Sequence, residues 1–233
     1  MPAFLALLLL SAAPDAAEKV PQLVALLEAK KTPEALALLK EIGGLKENHV
    51  EAKALVRAIR APDVPKPPEV MEASFLALKG IASREVTKDL LAFLEHSELK
   101  KDVIVRIGVC RALEGSADPA GAEALVDLLG DRDDRVIAAA GEAAAAYRHA
   151  PEALRKELFK EVLDVYVPTW SLKNSVDPDQ KVQRARSERR WEVVHQSMEK
   201  ALQLLSNANE QDPPAWQRWW NKNKKKRWTA AGA

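Results

Sequence analysis

Residues 125–147, LVDLLGDRDDRVIAAAGEAAAAY, predict two helices joined by a short acidic turn. Before the turn GDRDD, the apolar residues recur at the i, i+3, i+4 spacing of one helical face, at Leu125, Leu128 and Leu129. After the turn the same face is kept by Val136, Ala139, Ala140, Ala143 and Tyr147. Asp118 followed by Pro119 marks the start of the first helix, with a capping carboxylate and proline at the first helical position. The stretch therefore predicts an antiparallel helical pair.

Helical spacing continues on both sides of this pair. Upstream, Thr32 followed by Pro33 predicts a helix whose N-cap is the threonine hydroxyl, and Gly43 with Gly44 predicts its end. A further helix is expected over about 48–60, and downstream a long one over about 181–205. The apolar seam of the long helix is Trp191, Val194, Met198, Ala201 and Leu205. No segment alternates for long as a strand would, so the predicted fold is all-α.

Composition agrees with a helical protein that has enough apolar material for one sizeable core or two small ones. The 233 residues are 47% hydrophobic and 30% charged, with only 9 glycines. The single cysteine excludes an internal disulfide framework. Basic and acidic residues number 35 and 34, and this near balance argues against a global attraction to nucleic acid.

The charges are nevertheless unevenly distributed. Residues 181–233 contain 12 basic and 5 acidic side chains, so this end carries +7 while the first 180 residues carry −6. The protein therefore has a basic C-terminal segment and a net acidic remainder.

A repeat is indicated by the pairs Val103-Ile104 and Val136-Ile137, which lie 33 residues apart in similar helix–turn–helix settings. Residues 125–147 resemble a HEAT repeat, with a leucine-rich first helix, an aspartate-rich turn, and valine and small residues on the second helix. Residues 91–113 resemble it more loosely. The resemblance is best over 83–164. It implies an armadillo-like, right-handed α-solenoid of antiparallel helix pairs, whose family members mostly bind other macromolecules along a concave face.

The expected organisation has six segments. They are a signal peptide over 1–17, a short helical unit over 18–60, a proline-rich linker over 61–69, HEAT-like repeats over 70–167, a loop plus long basic helix completing the last pair over 168–212, and a tryptophan-rich capping helix with a basic tail over 213–233.

Residues 3–13, AFLALLLLSAA, have the length of a signal-peptide apolar region and are too short to span a bilayer. No lysine or arginine precedes them, and Pro14 directly follows the best cleavage site, Ser11 to Ala13. The leading prediction is export to the periplasm or medium. The alternative is a cytoplasmic protein in which 3–13 form a first helix packed on the repeats.

The sequence offers no arrangement typical of catalysis. The histidines His49, His96, His149 and His195 are widely spaced, and no HExxH, phosphate-loop or GxSxG motif occurs. Cys110 is predicted to be a small core residue. The carboxylates of the GDRDD turn are predicted to cap a helix rather than to bind calcium. We therefore expect no enzyme activity, cofactor or metal.

The predicted partner-binding residues are Trp170, Arg184, Arg186, Arg189 and Arg190, on a loop over 167–180 and the long helix that follows it. Loops and basic faces on a rigid scaffold commonly carry recognition. A protein or peptide partner is the first prediction. Nucleic acid is the alternative, including a resemblance to HEAT-like alkylpurine DNA glycosylases, although their concave Trp, Asp and Arg residues cannot be matched here one by one.

The chain ends in a helix in which three tryptophans share one face, followed by a basic run. These residues are Trp216, Trp219, Trp220, Lys224, Lys225 and Lys226. They predict either a cap that seals the last helical pair or an anchor on an anionic membrane surface. Taken together, the residues predict a non-catalytic HEAT-repeat scaffold for protein–protein interaction.

Overall fold

A computed structural model describes residues 18–45, 48–81 and 84–228 of the chain. These residues form eleven α-helices and three short 3-10 helices, with no strand among them. The predicted all-α class is confirmed. The signal peptide predicted over 1–17 lies outside the described residues. The helices belong to two compact units, one ending at Ser116 and one beginning at Ala117.

The first unit contains six helices in two alternating sets. Their bounds are α1 Lys19–Glu28, α2 Thr32–Gly43, α3 His49–Arg60, α4 Pro68–Ile81, α5 Arg84–Glu95 and α6 Val103–Ser116. Helix α4 packs between α2 and α6, while α3 packs between α1 and α5. Each helix of one set also packs on a sequence neighbour in the other. The apolar faces of both sets therefore meet in one core, which includes the buried thiol of Cys110 as predicted.

Helix α4 approaches its neighbours at backbone contact distance. A Cβ atom built on Gly80 would lie 2.1 Å from the carbonyl oxygen of Gly43 in α2. One built on Gly115 in α6 would lie 2.1 Å from the carbonyl oxygen of Lys79. Because the obstructing atoms are backbone, no rotamer change could make room for a side chain at either position. These glycines set the spacing of the three helices.

The second unit contains five helices. Their bounds are α7 Pro119–Leu129, α8 Asp134–Ala144, α9 Glu152–Lys173, α10 Lys181–Ser206 and α11 Pro213–Asn223. Helix α9 packs on α7, α10 and α11, and α10 packs on both α8 and α9. The pairs α7–α8 and α9–α10 therefore stack on each other within this unit.

The α7–α8 pair has the boundaries that its sequence predicts. Asp118 accepts a hydrogen bond from the amide of Ala120 at 3.0 Å, and Asp133 accepts one from the amide of Arg135 at 3.0 Å. Tyr147 is buried, and its hydroxyl donates to the carbonyl of Asp118 at 3.0 Å. Burial raises the pKa of this phenol above its ordinary value. The acidic turn thus caps a helix, as expected.

Two local predictions are wrong. The Thr32 hydroxyl does not cap α2, because Thr32 is already helical and Lys31 occupies the N-cap position without a side-chain cap. The loop predicted over 167–180 is also shorter, because α9 continues through Pro168 and Trp170 to Lys173. Proline removes one intrahelical hydrogen bond, but the buried side chains of Tyr166 and Thr169 keep this turn packed in the core.

Candidate functional site

The two halves of α10 differ sharply in burial. The second half buries Val194, Met198 and Leu205, whereas Ser187 is the single buried side chain between Lys181 and Trp191. Val182 is 79% exposed, although valine normally lies inside. The first half of α10 therefore presents a wide solvent-facing surface that mixes apolar and cationic groups.

A wide-open region of about 710 Å³, which we call the groove, lies against this face of α10. Among the described residues, its lining consists of Lys181, Val182, Ala185, Arg186 and Arg189. These residues follow i, i+4 and i+8 steps, so they form one stripe along the helix. The stripe has an apolar centre with cationic side chains beside it. Such a surface suits a ligand that combines an apolar group with carboxylates or phosphates.

The five predicted partner-binding residues do not lie together. Arg186 and Arg189 line the groove and are exposed. Arg184 donates to the carbonyl of Ser175 at 3.3 Å, and Arg190 donates to Asp134 at the start of α8 at 2.7 Å. These two guanidinium groups hold neighbouring parts of the second unit. Trp170 is half-buried on α9 rather than exposed on a loop.

Arg186 and Arg189 make no salt bridge or side-chain hydrogen bond with any residue that the structure describes. Arg190, by contrast, forms an ion pair with Asp134 in which both side chains are about a quarter exposed, at 27% and 28%. The guanidinium groups of Arg186 and Arg189 are therefore available to an external anion, as is the exposed ammonium of Lys181 beside them.

Sequence reasoning missed Lys181, Val182 and Ala185 as groove residues. A signal was present at Val182, because this apolar residue interrupts the polar run KVQRARSERR outside the predicted seam. Recognising it required knowing which face α10 turns towards α8 and α9. That orientation comes from tertiary packing.

A row of stacked rings lies on the α9–α10 contact. Trp191 stacks on Tyr166 with a centroid distance of 5.1 Å and on His195 at 5.3 Å. The ammonium of Lys173 lies 5.0 Å from the Trp191 ring centroid. Burial raises the pKa of the Tyr166 phenol above its ordinary value, with the charges of Glu199 and Asp212 adding to it. This row joins the two helices.

The tryptophans of α11 surround Phe159 of α9. Its ring centroid lies 5.9 Å from that of Trp216, 5.3 Å from Trp219 and 5.4 Å from Trp220. A fourth indole, Trp228, lies 5.3 Å from Phe159 and was not predicted to join the cluster. Trp216 and Trp228 are only 0% and 6% exposed. The indoles are therefore packed on the helical pair.

Within residues 18–45, 48–81 and 84–228, the carboxylates and histidines are not grouped as a metal site would require. No group of three or more His, Cys, Asp or Glu side chains capable of holding a metal occurs among the described residues. None of the described helices is long and apolar enough to cross a membrane.

Comparison of the sequence with models of protein families and with curated proteins found no match.

Proposed function

We propose that this protein is an exported, non-catalytic scaffold that binds a protein or peptide partner through the groove on the first half of α10. The observation that carries the proposal is the exposed stripe of Val182, Arg186 and Arg189, in which apolar surface and cations without a described partner lie side by side. Exposed apolar surface rimmed by charge is typical of interaction sites.

The proposed architecture is a right-handed, HEAT-like α-solenoid. The packing order within each unit supports it, because alternate helices contact each other as well as their sequence neighbours. Stacked helix pairs of this kind build extended binding surfaces. Helix α11 is proposed to cap the last pair, and the contacts of Trp216, Trp219 and Trp220 with Phe159 support this role.

Export is proposed from the apolar stretch 3–13 and the small residues after it. In an exported protein the partner is an envelope or extracellular protein. Export also argues against the nucleic-acid alternative, because an exported protein is separated from cellular DNA and RNA. N-terminal sequencing of the native protein tests this. A mature chain beginning between Pro14 and Glu18 supports export, and an intact N-terminus in the cytoplasm overturns it.

The binding surface is tested with the double variant Arg186→Gln/Arg189→Gln. We expect it to weaken binding of the partner by at least about tenfold, because charged contacts across an interface are lost together. The partner is first identified by cross-linking to the full chain, and its affinity is then measured with purified components by titration calorimetry.

The matched control is Arg57→Gln/Arg60→Gln, which removes two exposed arginines at the same three-residue spacing from the end of α3. Equal affinities for the two double variants would contradict the placement of the site. Binding of duplex DNA that weakens steeply with salt, at an affinity above that for any protein, would favour the nucleic-acid alternative instead.

A further inference from the structure

We propose that the outward surface of α11 and the turn after it bind the anionic headgroups of a lipid bilayer through cations alone, with the tryptophans remaining packed on α9. We refer to this surface as the basic face. It consists of Arg218, Lys222, Lys224, Lys225, Lys226 and Arg227, all of which are exposed.

The basic face has no internal counter-charge. No aspartate or glutamate occurs in the segment 213–228, so six cations follow one another without a carboxylate in the sequence. On α9, the carboxylate of Glu152 forms an ion pair with the ammonium of Lys156 at 2.6 Å, and the nearby backbone amide of Trp228 also favours its charged form. The bond from Lys156 is the main reason that the pKa of Glu152 is lowered. This carboxylate is therefore already committed to other donors.

The backbone of the turn that carries the cations is held in place by hydrogen bonds. The amide of Lys226 donates to the carbonyl of Asn223 at 2.9 Å, and the indole Nε1 of Trp228 donates to the same carbonyl at 3.1 Å. The ammonium of Lys156 donates to the carbonyl of Lys226 at 2.7 Å. Because like charges repel one another, keeping them together is unfavourable unless an external anion compensates. The turn is thus organised for an anionic partner.

The disposition of the rings favours a lipid surface over nucleic acid. Binding of single strands uses aromatic faces on which bases can stack. The rings of Trp219 and Trp220 lie against Phe159, and both also contact Trp228 at centroid distances of 5.1 and 6.1 Å. A bilayer needs only an array of cations to bind, so it requires no accessible ring face.

The same packing argues against insertion of the tryptophans. Trp216 is completely buried, and Trp228 is almost completely buried. Moving these two indoles into lipid would remove their packing contacts with Phe159 in the core. The interaction is therefore electrostatic and superficial, and the indoles stay packed on α9.

The test is co-sedimentation of the full-length protein with vesicles of phosphatidylcholine and phosphatidylglycerol in equal parts. We expect binding that is absent with pure phosphatidylcholine and that disappears as salt is raised. The variant Lys222→Gln/Lys224→Gln/Lys225→Gln should lower the partition coefficient by roughly a hundredfold, since each cation near the surface contributes separately. Tryptophan emission should stay unshifted when vesicles are added.

The matched control is Lys181→Gln/Arg186→Gln/Arg189→Gln, which makes the same change in net charge on the groove of α10. It should retain vesicle binding. Equal loss in both variants, or no sedimentation of the wild type, would overturn the proposal. So would a blue shift of tryptophan emission, or displacement of the vesicles by duplex DNA at equal phosphate concentration. Thermal unfolding of each variant by circular dichroism separates loss of binding from loss of fold.

Discussion

Replacing Phe159 with alanine is expected to lower the free energy of unfolding of the second unit by about 3–5 kcal/mol. The ring is completely buried and contacts four indoles, those of Trp216, Trp219, Trp220 and Trp228. Its removal leaves a cavity and also deletes several edge-to-face and stacked pairs. Urea unfolding followed by tryptophan fluorescence measures the change. All six tryptophans lie after residue 116, so the signal reports on this unit.

Two control variants sharpen this test. Phe159→Leu keeps much of the volume and removes only the ring, so it should cost about 1–1.5 kcal/mol. Val182→Ala removes apolar atoms from an exposed position in the same unit and should be close to neutral. An unchanged midpoint for Phe159→Ala would mean that α11 is not packed on α9, and the proposed cap would fail.

Replacing Glu51 with glutamine is expected to destabilise the first unit by about 2–3 kcal/mol. The Glu51 side chain is only 3% exposed, and its carboxylate reaches from α3 to the start of α1. It accepts hydrogen bonds from the amides of Glu18 and Lys19, both at 2.7 Å, and of Val20 at 3.2 Å. Glu18, the N-cap residue of α1, makes no side-chain cap of its own. The glutamine side chain has one acceptor oxygen where the carboxylate has two. Its NH₂ group would also face the backbone N–H donors at the start of α1.

The control for Glu51→Gln is Glu41→Gln, which removes another carboxylate bound to the same segment. Glu41 pairs with the ammonium of Lys19, but its side chain is 62% exposed. Exposed ion pairs contribute little to stability, so this variant should unfold like the wild type. Far-UV circular dichroism follows the transition, because no tryptophan or tyrosine lies in the first unit. Equal melting of the two variants would contradict the capping role of Glu51.

Local sequence signals predicted the helices because they act over a few residues. Asp118 and Asp133 cap helices as predicted. Asp212, which precedes Pro213 and Pro214, likewise accepts a hydrogen bond from the amide of Ala215 at 2.6 Å. The failures are at places where distant packing decides. Pro168 indicates a break, but the side chains around it are held in the core. Glu51 caps a helix more than 30 residues away in sequence, which no spacing rule reveals.

The candidate site was predicted less completely than the fold for the same reason. A run of arginines indicates a basic helix, but not which of them face solvent. Arg186 and Arg189 do, whereas Arg190 is drawn to Asp134 by the packing of α10 on α8. Trp228 follows the lysine-rich run, in the segment that the sequence predicts to be a basic tail. Its burial depends on the hydrogen bond to Asn223 and on the position of Phe159.

The close approaches of α4 have a consequence for how this sequence can change over evolution. Glycine within a helix costs about 1 kcal/mol relative to alanine, so Gly80 and Gly115 are poor choices by helix propensity. Their lack of a side chain is what allows backbones to touch at both crossings. Enlarging either residue could be accommodated only by moving a whole helix, and not by a second substitution nearby. The backbone contacts therefore limit which substitutions Gly80 and Gly115 can accept during evolution.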